Sequence, residues 1–479
     1  MVEASNAQAP LHDEDYDRAF NRQNLNSAGM IFTRHRPAQS LNGTWTFTTD
    51  RCDTGLRQHW YKDCHLPIEG RTAPWDYDVW NGETAEVPSC WNVGRPENFH
   101  YEGSAWYGRH FPYVAERPGE RVFLRIGAAN YDTKIFLNGR FLGNHYGGST
   151  PFFVELTEQL QAENWLFLCV NNERDLVRVP MRHTDWFNYG GVFRDVELIR
   201  LPELFIKDFF LYLVPNGQFD HIGVSIELSD EVDGEIEFSV PELGIDRRLP
   251  VIRGQAAMTL AAAPELWSPD HPRLYAAKAR FGDDTVSETV GFREIKTDGQ
   301  TILLNGEPIR FRGICVHEDD HALGRVSHDD DLRRRFAHAK ELGCNFMRLA
   351  HYPHHEHAAQ LADEIGLLLW EEIPVYWSIA FDNDATFADA DNQLRELILR
   401  DRNRASVVAW GVGNENADTD ARLAFMRRLT ETARHIDPTR LVAAACLVNQ
   451  TARTVEDRLA ADLDLVGINE YYGWYEPDF

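Results

Sequence analysis

Val407-Val-Ala-Trp-Gly-Val-Gly-Asn414-Glu415 is an apolar, strand-like run whose last two residues are an amide and a carboxylate. Five further runs of the same kind surround it: Ile309–Val316, Phe346–Ala350, Leu367–Glu372, Leu441–Cys446 and Leu465–Tyr472. Between them fall helical stretches such as Asp331–Leu342, with Leu332, Phe336, Ala339 and Leu342 at helical spacing, and His355–Ile365. Strands alternating with helices predict a parallel α/β domain over residues 293–479. A (β/α)8 TIM barrel needs eight strands to close its ring, and six are found, so the expected barrel is incomplete.

Upstream the pattern is all β. From about Leu41 to Leu201 short β-like runs, such as Arg121-Val-Phe-Leu-Arg-Ile and Trp165-Leu-Phe-Leu-Cys-Val, are separated by Gly, Pro and Asn, which predicts a β-sandwich. Ile135-Phe-Leu-Asn-Gly-Arg-Phe-Leu142 reads as a hairpin, because Asn138-Gly139 accepts the positive φ angles of a type I′ turn. The aromatic residues here, Trp106, Tyr107, Tyr131 and Phe152 among them, are expected in the sandwich core rather than on a sugar-stacking platform. A second strand set at 202–292 has the length of an immunoglobulin-like sandwich and no catalytic cluster, which suits a spacer. The expected order is an N-terminal domain over 1–201, of which 1–40 is an extension, then 202–292, then 293–479.

A chain of 479 residues that is 43% hydrophobic can bury several cores. Its net charge of -27 repels a phosphate backbone and an anionic membrane surface, so neither nucleic acid nor membrane is expected as a partner. Nowhere do about 18 apolar residues run together. Met1 to Asp17 has neither the basic start nor the apolar run of a secretory signal, which points to the cytoplasm. The seven scattered cysteines form no close pair, so they are expected as reduced, mostly buried thiols. Self-association into a homo-oligomer is compatible with this composition.

Barrel enzymes carry their chemistry at the C-terminal ends of strands, and these ends are polar here. They read His317-Glu318-Asp319-Asp320-His321, Arg348 with His351-Tyr352, Glu371-Glu372, Asn414-Glu415-Asn416, and Asn469-Glu470-Tyr471-Tyr472. Glycoside cleavage needs a carboxylic acid to protonate the leaving oxygen and gains from an amide that holds the sugar 2-hydroxyl, roles that suit Glu415 and Asn414. An Asn-Glu pair after a strand can also cap the next helix. The polar chemistry along the rest of the rim favours the catalytic reading.

Gly413-Asn-Glu415, Phe311-Arg-Gly-Ile-Cys-Val-His-Glu318, Met347-Arg-Leu-Ala-His-Tyr-Pro353, Asp185-Trp-Phe-Asn-Tyr-Gly-Gly-Val-Phe-Arg-Asp195 and Asn469-Glu-Tyr-Tyr-Gly-Trp-Tyr475 together resemble glycoside hydrolase family 2, the group of β-galactosidases and β-glucuronidases. The resemblance runs from about Leu41 to the last residue. It implies a jelly-roll, galactose-binding-like sugar-binding domain, an immunoglobulin-like sandwich and a catalytic TIM barrel, acting without a cofactor on a small carbohydrate or glycoside by exo-acting cleavage with retention. By it Glu415 is the acid/base, Asn414 contacts the sugar, His317 and His351 line the subsite of the cleaved sugar, and Asp185 reaches its far hydroxyls. Tyr471 and Tyr475 border the nucleophile, a glutamate at the end of strand seven to which no residue of this chain can be matched. The 479-residue chain alone is therefore expected to be inactive.

His351-Tyr-Pro-His-His-Glu-His357 does not have the spacing of a helical zinc motif, and His354, His355 and His357 are expected as solvated residues at a helix start. Tyr376 and Ser378 stand where some β-galactosidases place magnesium ligands, so no metal is expected. Arg348 and Glu372 are expected to support the site by hydrogen bonds, and Glu470 to be exposed. One rival is a sugar-binding protein without catalysis; another is a phosphate-binding barrel, which needs a Gly-rich loop after later strands. The sugar itself is left open, although the Asn469–Tyr475 stretch is closer to β-glucuronidases.

Overall fold

The computed structural model describes residues 19–21, 24–62, 79–449, 453–471, 473 and 474. In the first sandwich a six-stranded antiparallel sheet has Gly43–Asp50, Ser104–Pro112, Glu163–Asn171 and Asp132–Leu137 as its inner strands. It faces a four-stranded sheet of Ala38–Ser40, Val196–Leu201, Arg121–Ile126 and Phe152–Glu155. Trp45, Phe47, Tyr107, Leu124, Ile135 and Leu168 fill the space between them. The outer face of the larger sheet is also covered, since Trp60 and Trp80 pack on Trp106, Phe136 and Phe167. Trp106, Tyr107, Tyr131 and Phe152 are accordingly core residues. The Asn138-Gly139 hairpin forms as its residue types require, with φ of 52° and 79° and Leu137 paired with Arg140.

Sheets of three strands (Ile206–Leu213, His221–Leu228, Gln255–Ala261) and four strands (Ile245–Val251, Gly234–Val240, Tyr275–Phe281, Asp284–Val290) make the second sandwich. Phe209, Ile226, Phe238 and Val286 lie in its core. It is tied to the third unit by polar clasps and by Trp267, which is buried among residues of that unit. Arg404 bridges Glu288 and Asp363, and Asn403 accepts a 2.9 Å hydrogen bond from the Leu211 N–H.

The third unit is one parallel sheet in chain order, β1 (Gly313–Val316), β2 (Phe346–Leu349), β3 (Leu368–Glu372), β4 (Val407–Asn414), β5 (Leu441–Cys446) and β6 (Leu465–Ile468). Helices α1 (Asp329–Glu341), α2 (Glu356–Ile365), α3 (Asp384–Asp401) and α4 (Asp420–Ile436) form the outer layer. Strands β3, β4 and β5 are buried at every position, as a parallel sheet covered on both faces demands, whereas the edge strands β1 and β6 are partly exposed. Phe336, Met347, Leu369, Leu394, Trp410 and Met426 pack in one core on this sheet. Trp267, Ile295, Leu368, Trp370 and Val408 form another.

Three details depart from the sequence reading. The first barrel strand begins at Gly313, because Asn305-Gly306, with φ of 55° and 82°, turns Thr301–Leu304 back onto Glu307–Ile309 in a separate antiparallel sheet. Helix α1 starts at Asp329, where three aspartates fill its first turn and complement the helix dipole. The connection between β5 and β6 is a 3-10 turn, Arg458–Asp462, and β6 ends at Ile468. Of the six cysteines among the described residues all are free, but only Cys90, Cys169 and Cys446 are buried.

Candidate active site

Glu415 follows β4 directly and lies in the left-handed region with φ of 53°. That backbone costs a non-glycine residue about 1 kcal/mol and persists where the surroundings over-determine it. Here the Glu415 N–H donates to the Ala445 carbonyl at 2.8 Å, which ties the turn to β5. The carboxylate, only 8% exposed as a residue, is held at both oxygens. Trp377 Nε1 donates to Oε2 at 2.9 Å and the Tyr471 hydroxyl donates to Oε1.

Asn414 is fixed beside it. Its Oδ1 accepts from Arg348 Nη2 at 2.8 Å and from Asn469 Nδ2 at 3.1 Å, so three strand ends, β2, β4 and β6, orient one amide. Its Nδ2 has no acceptor among the described residues. Arg348 also forms a two-pronged pair with Glu372, with both contacts at 2.9 Å, and His351 Nδ1 meets the same carboxylate at 2.8 Å. Burial alone would raise Glu372, but the Arg348 charge and the hydrogen bonds from His351 and Arg348 outweigh it and bring the carboxyl down to about 2. A carboxylate so fully engaged is a structural anion. Glu470, the other rim glutamate, is exposed.

His317 sits 5.2 Å from His351 between ring centroids, with its Nδ1 3.2 Å from the Tyr352 hydroxyl. Burial first, then the neighbouring His351 and Arg325, push it down to about 4, so at neutral pH it is an uncharged imidazole. Asp185 arrives from the first sandwich on the loop after Glu163–Asn171. That loop is sewn to α3, with the Val179 N–H donating to Asp389 at 2.9 Å, Gln393 donating to the Val179 carbonyl at 2.6 Å and Thr386 donating to the Val177 carbonyl at 3.0 Å. A buried pair of Arg194 with Glu318 at 2.9 Å, and the Tyr189 hydroxyl on Asp319 at 2.9 Å, fix its far end against the strand β1 rim. Asp185 itself is exposed, hydrogen-bonds the Tyr376 hydroxyl and acts electrostatically on His317. Burial, that bond and the nearby Glu415 raise the Tyr376 phenol, which therefore keeps its proton.

Asn414, Glu415, Asp185, His317, His351, Tyr471, Arg348 and Glu372 are thus brought to one rim, whereas Tyr475 lies outside the described residues. Four further residues on that rim were given no role in the sequence reading. Trp186 packs among His351, Tyr352 and Tyr376, with centroids 5.8, 5.4 and 4.9 Å away and the two tyrosines edge-on, while Tyr376, Trp377 and Asn469 complete the wall. Trp186 and Asn469 stood inside stretches already singled out, next to Asp185 and Glu470. The histidines after Pro353 depart from expectation. His354 and His355 are buried rather than solvated, because they pack under Glu318, which accepts from the His355 N–H at 2.7 Å, and of the three only His357 is partly exposed, paired with Asp329. Elsewhere a cleft of about 800 Å³ opens between the two sandwiches and α3, remote from this rim. Its arginines are paired, for example Arg125 with Glu356 and Arg402 with Asp208.

Residues 38–478 match, almost without a gap, three models of one family: glycosyl hydrolases family 2 sugar binding domain over residues 38–202, glycosyl hydrolases family 2 over 205–293, and its TIM barrel domain over 294–478. A β-glucuronidase of Paenibacillus borealis is 28% identical over 491 residues, which covers 93% of this chain and 79% of that protein. A β-galactosidase of Thermoanaerobacter pseudethanolicus is 28% identical over 401 residues, 76% of this chain and 52% of that protein. Among solved structures, a β-glucuronidase from Ruminococcus gnavus in complex with D-glucaro-d-lactam superposes with a TM-score of 0.80 at 26% identity, covering 94% of this chain and 79% of that one. Three successive family matches, relatives that span most of the chain and a shared architecture converge, and the chain belongs to glycoside hydrolase family 2, with a β-glycosidase function.

Proposed function

We propose that the protein hydrolyses terminal β-glucuronides with retention, and that Glu415 is its acid/base. The observation that carries this reading is the Glu415 carboxyl at the end of β4, held by Trp377 and Tyr471 on the same rim as Asp185, His317 and His351. In the first step Glu415 gives its proton to the glycosidic oxygen while a second carboxylate bonds to the anomeric carbon; in the second it takes a proton from the attacking water. That second carboxylate must stand about 5 to 5.5 Å away across the sugar. Glu372 is committed to Arg348 and His351, so no described residue is assigned as nucleophile.

The roles of the other rim residues follow from their chemistry. Asn414 offers its unpaired Nδ2 to the sugar 2-hydroxyl, where hydrogen bonds strengthen in the transition state. Uncharged His317 can donate to and accept from sugar hydroxyls, the His351 ring offers them a further hydrogen bond, and Asp185 accepts from the hydroxyls farthest from the scissile bond. Tyr471 orients Glu415. The glucuronide preference rests on the relatives, of which the Paenibacillus borealis and Ruminococcus gnavus proteins are β-glucuronidases. The six free thiols support a reducing, cytoplasmic setting.

The test is titration calorimetry with the phenyl 1-thio-β-glycosides of glucuronic acid, galactose and glucose, which bind without being cleaved. The glucuronide is expected to bind at least tenfold tighter than the others, and Asp185→Ala to weaken it by about tenfold or more, the scale of one hydrogen bond to a charged group. A galactoside preference replaces the glycone assignment. Absence of binding by all three sinks the reading of the site.

A further inference from the structure

Trp186, Tyr376 and Trp377 form one continuous aromatic strip. Tyr376 lies 4.9 Å from Trp186 and 4.6 Å from Trp377 between ring centroids, the second pair inclined by only 31°. The two ends of the strip differ. The Trp186 end is enclosed by His317, His351 and Tyr352 and adjoins Asp185, the surroundings assigned above to the cleaved sugar. The Trp377 end opens to solvent: its residue is 42% exposed although it belongs to a large apolar type. Glu415 stands at the junction, its Oε2 accepting the Trp377 indole N–H at 2.9 Å.

Trp377 is also held where it is. Its φ of 53° is a left-handed conformation that an aromatic residue seldom adopts, and hydrogen bonds pin both sides of the residue. The Trp377 N–H donates to the Asn414 carbonyl at 2.9 Å, and Asn416 Nδ2 donates to the Trp377 carbonyl at 2.8 Å. Burying an exposed indole of this size would be favourable by hydrophobic transfer alone, so its retention at the rim in a strained backbone calls for an occupant. The leaving group of a glycoside must extend from the oxygen that Glu415 protonates, away from the enclosed sugar. Trp377 is the exposed end of the strip, opposite the enclosed Trp186 and in contact with Glu415.

We propose that Trp377 is the floor of the leaving-group subsite and that it selects glycosides whose aglycone is a flat aromatic ring over those of small hydrophilic alcohols. The inference rests on the placement of the cleaved sugar beside Asp185, His317 and His351. The indole N–H fixes the proton donor while the ring face stacks on the departing group, so one side chain contacts both. Offset stacking of two aromatic rings predicts roughly five- to tenfold tighter binding of a phenyl than of a methyl aglycone on the same sugar.

The experiment compares phenyl and methyl 1-thio-β-D-glucuronide, and the matching thio-β-D-galactosides, by calorimetry on the full chain and on Trp377→Phe, Trp377→Leu and Trp377→Ala. The expected result is a phenyl preference of five- to tenfold in the parent, retained within a factor of about two by Trp377→Phe, and reduced to less than twofold in both Trp377→Leu and Trp377→Ala. Equal affinity for phenyl and methyl ligands in both sugar series overturns the proposal, and so does a preference that survives in Trp377→Leu. If only the galactoside pair binds and shows the preference, the glucuronide assignment falls while the subsite stands.

Discussion

Removing the Arg348 side-chain charge, as Arg348→Met, is expected to cost the fold about 3 kcal/mol at neutral pH. The magnitude comes from Glu372, whose carboxyl is brought from 4.5 to about 2 inside a fully buried pair; at about 1.4 kcal/mol for each tenfold in acidity this is about 3 kcal/mol. Breaking a buried pair by deleting one partner falls in the same range, because the remaining charge stays desolvated. The sign of the pH dependence is fixed by the direction of the change. A depressed carboxyl stabilises the native state fully above about pH 4.5 and loses that contribution as pH falls toward 2. In Arg348→Met Glu372 keeps only His351 against the burial that raises it, so it takes up a proton at a higher pH than in the parent and the deficit against the parent narrows between pH 8 and pH 5. Urea unfolding of the parent, Arg348→Met, Glu372→Gln and the double variant at both pH values measures this directly. The double variant should recover at least half of the loss, since no uncompensated charge is left. A loss below about 1 kcal/mol at pH 7, or one that is the same at pH 8 and pH 5, refutes the reasoning.

Other consequences follow from the same geometry. Arg194→Met strands Glu318 between the first sandwich and the barrel and should cost about 3 to 5 kcal/mol, read as a lower urea midpoint; an unchanged midpoint contradicts the clasp. His317, brought down to about 4, stays uncharged to about pH 5, so its imidazole resonances, identified by their loss in His317→Gln, should show no titration near pH 6.5. Because its unfolded form takes up a proton first, it removes stability as pH falls from about 6.5 to 4. Asp185→Asn should weaken glycoside binding without shifting the urea midpoint, since the side chain is exposed; a parallel loss of stability would make Asp185 structural.

The barrel strands were legible because a parallel strand covered on both faces must be apolar along most of its length, and Val407–Gly413 carries no polar side chain. Asn414-Glu415 was legible for a related reason: two polar residues ending such a run have nowhere to go but the rim. The edges were less legible. Gly313–Val316 is paired on one side only, so its pattern merges with the preceding hairpin, and Asn305-Gly306 marks a turn without saying which strands it joins. The aromatic wall could not be read from spacing, because Trp186 and Tyr376 meet only after the loop following Glu163–Asn171 docks on α3. His354 and His355 misled for the opposite reason. Polar residues at a helix start are ordinarily solvated, and only the buried Glu318 beneath them explains their burial.

The most direct measurement is a structure of the chain with phenyl 1-thio-β-D-glucuronide bound. The glycosidic sulfur is predicted to lie within hydrogen-bonding reach, about 3 to 3.5 Å, of a Glu415 carboxylate oxygen, with the sugar between Asp185 and His351 and the phenyl ring over Trp377. A sugar seated away from these residues, or a Glu415 carboxyl facing away from the sulfur, would contradict the account.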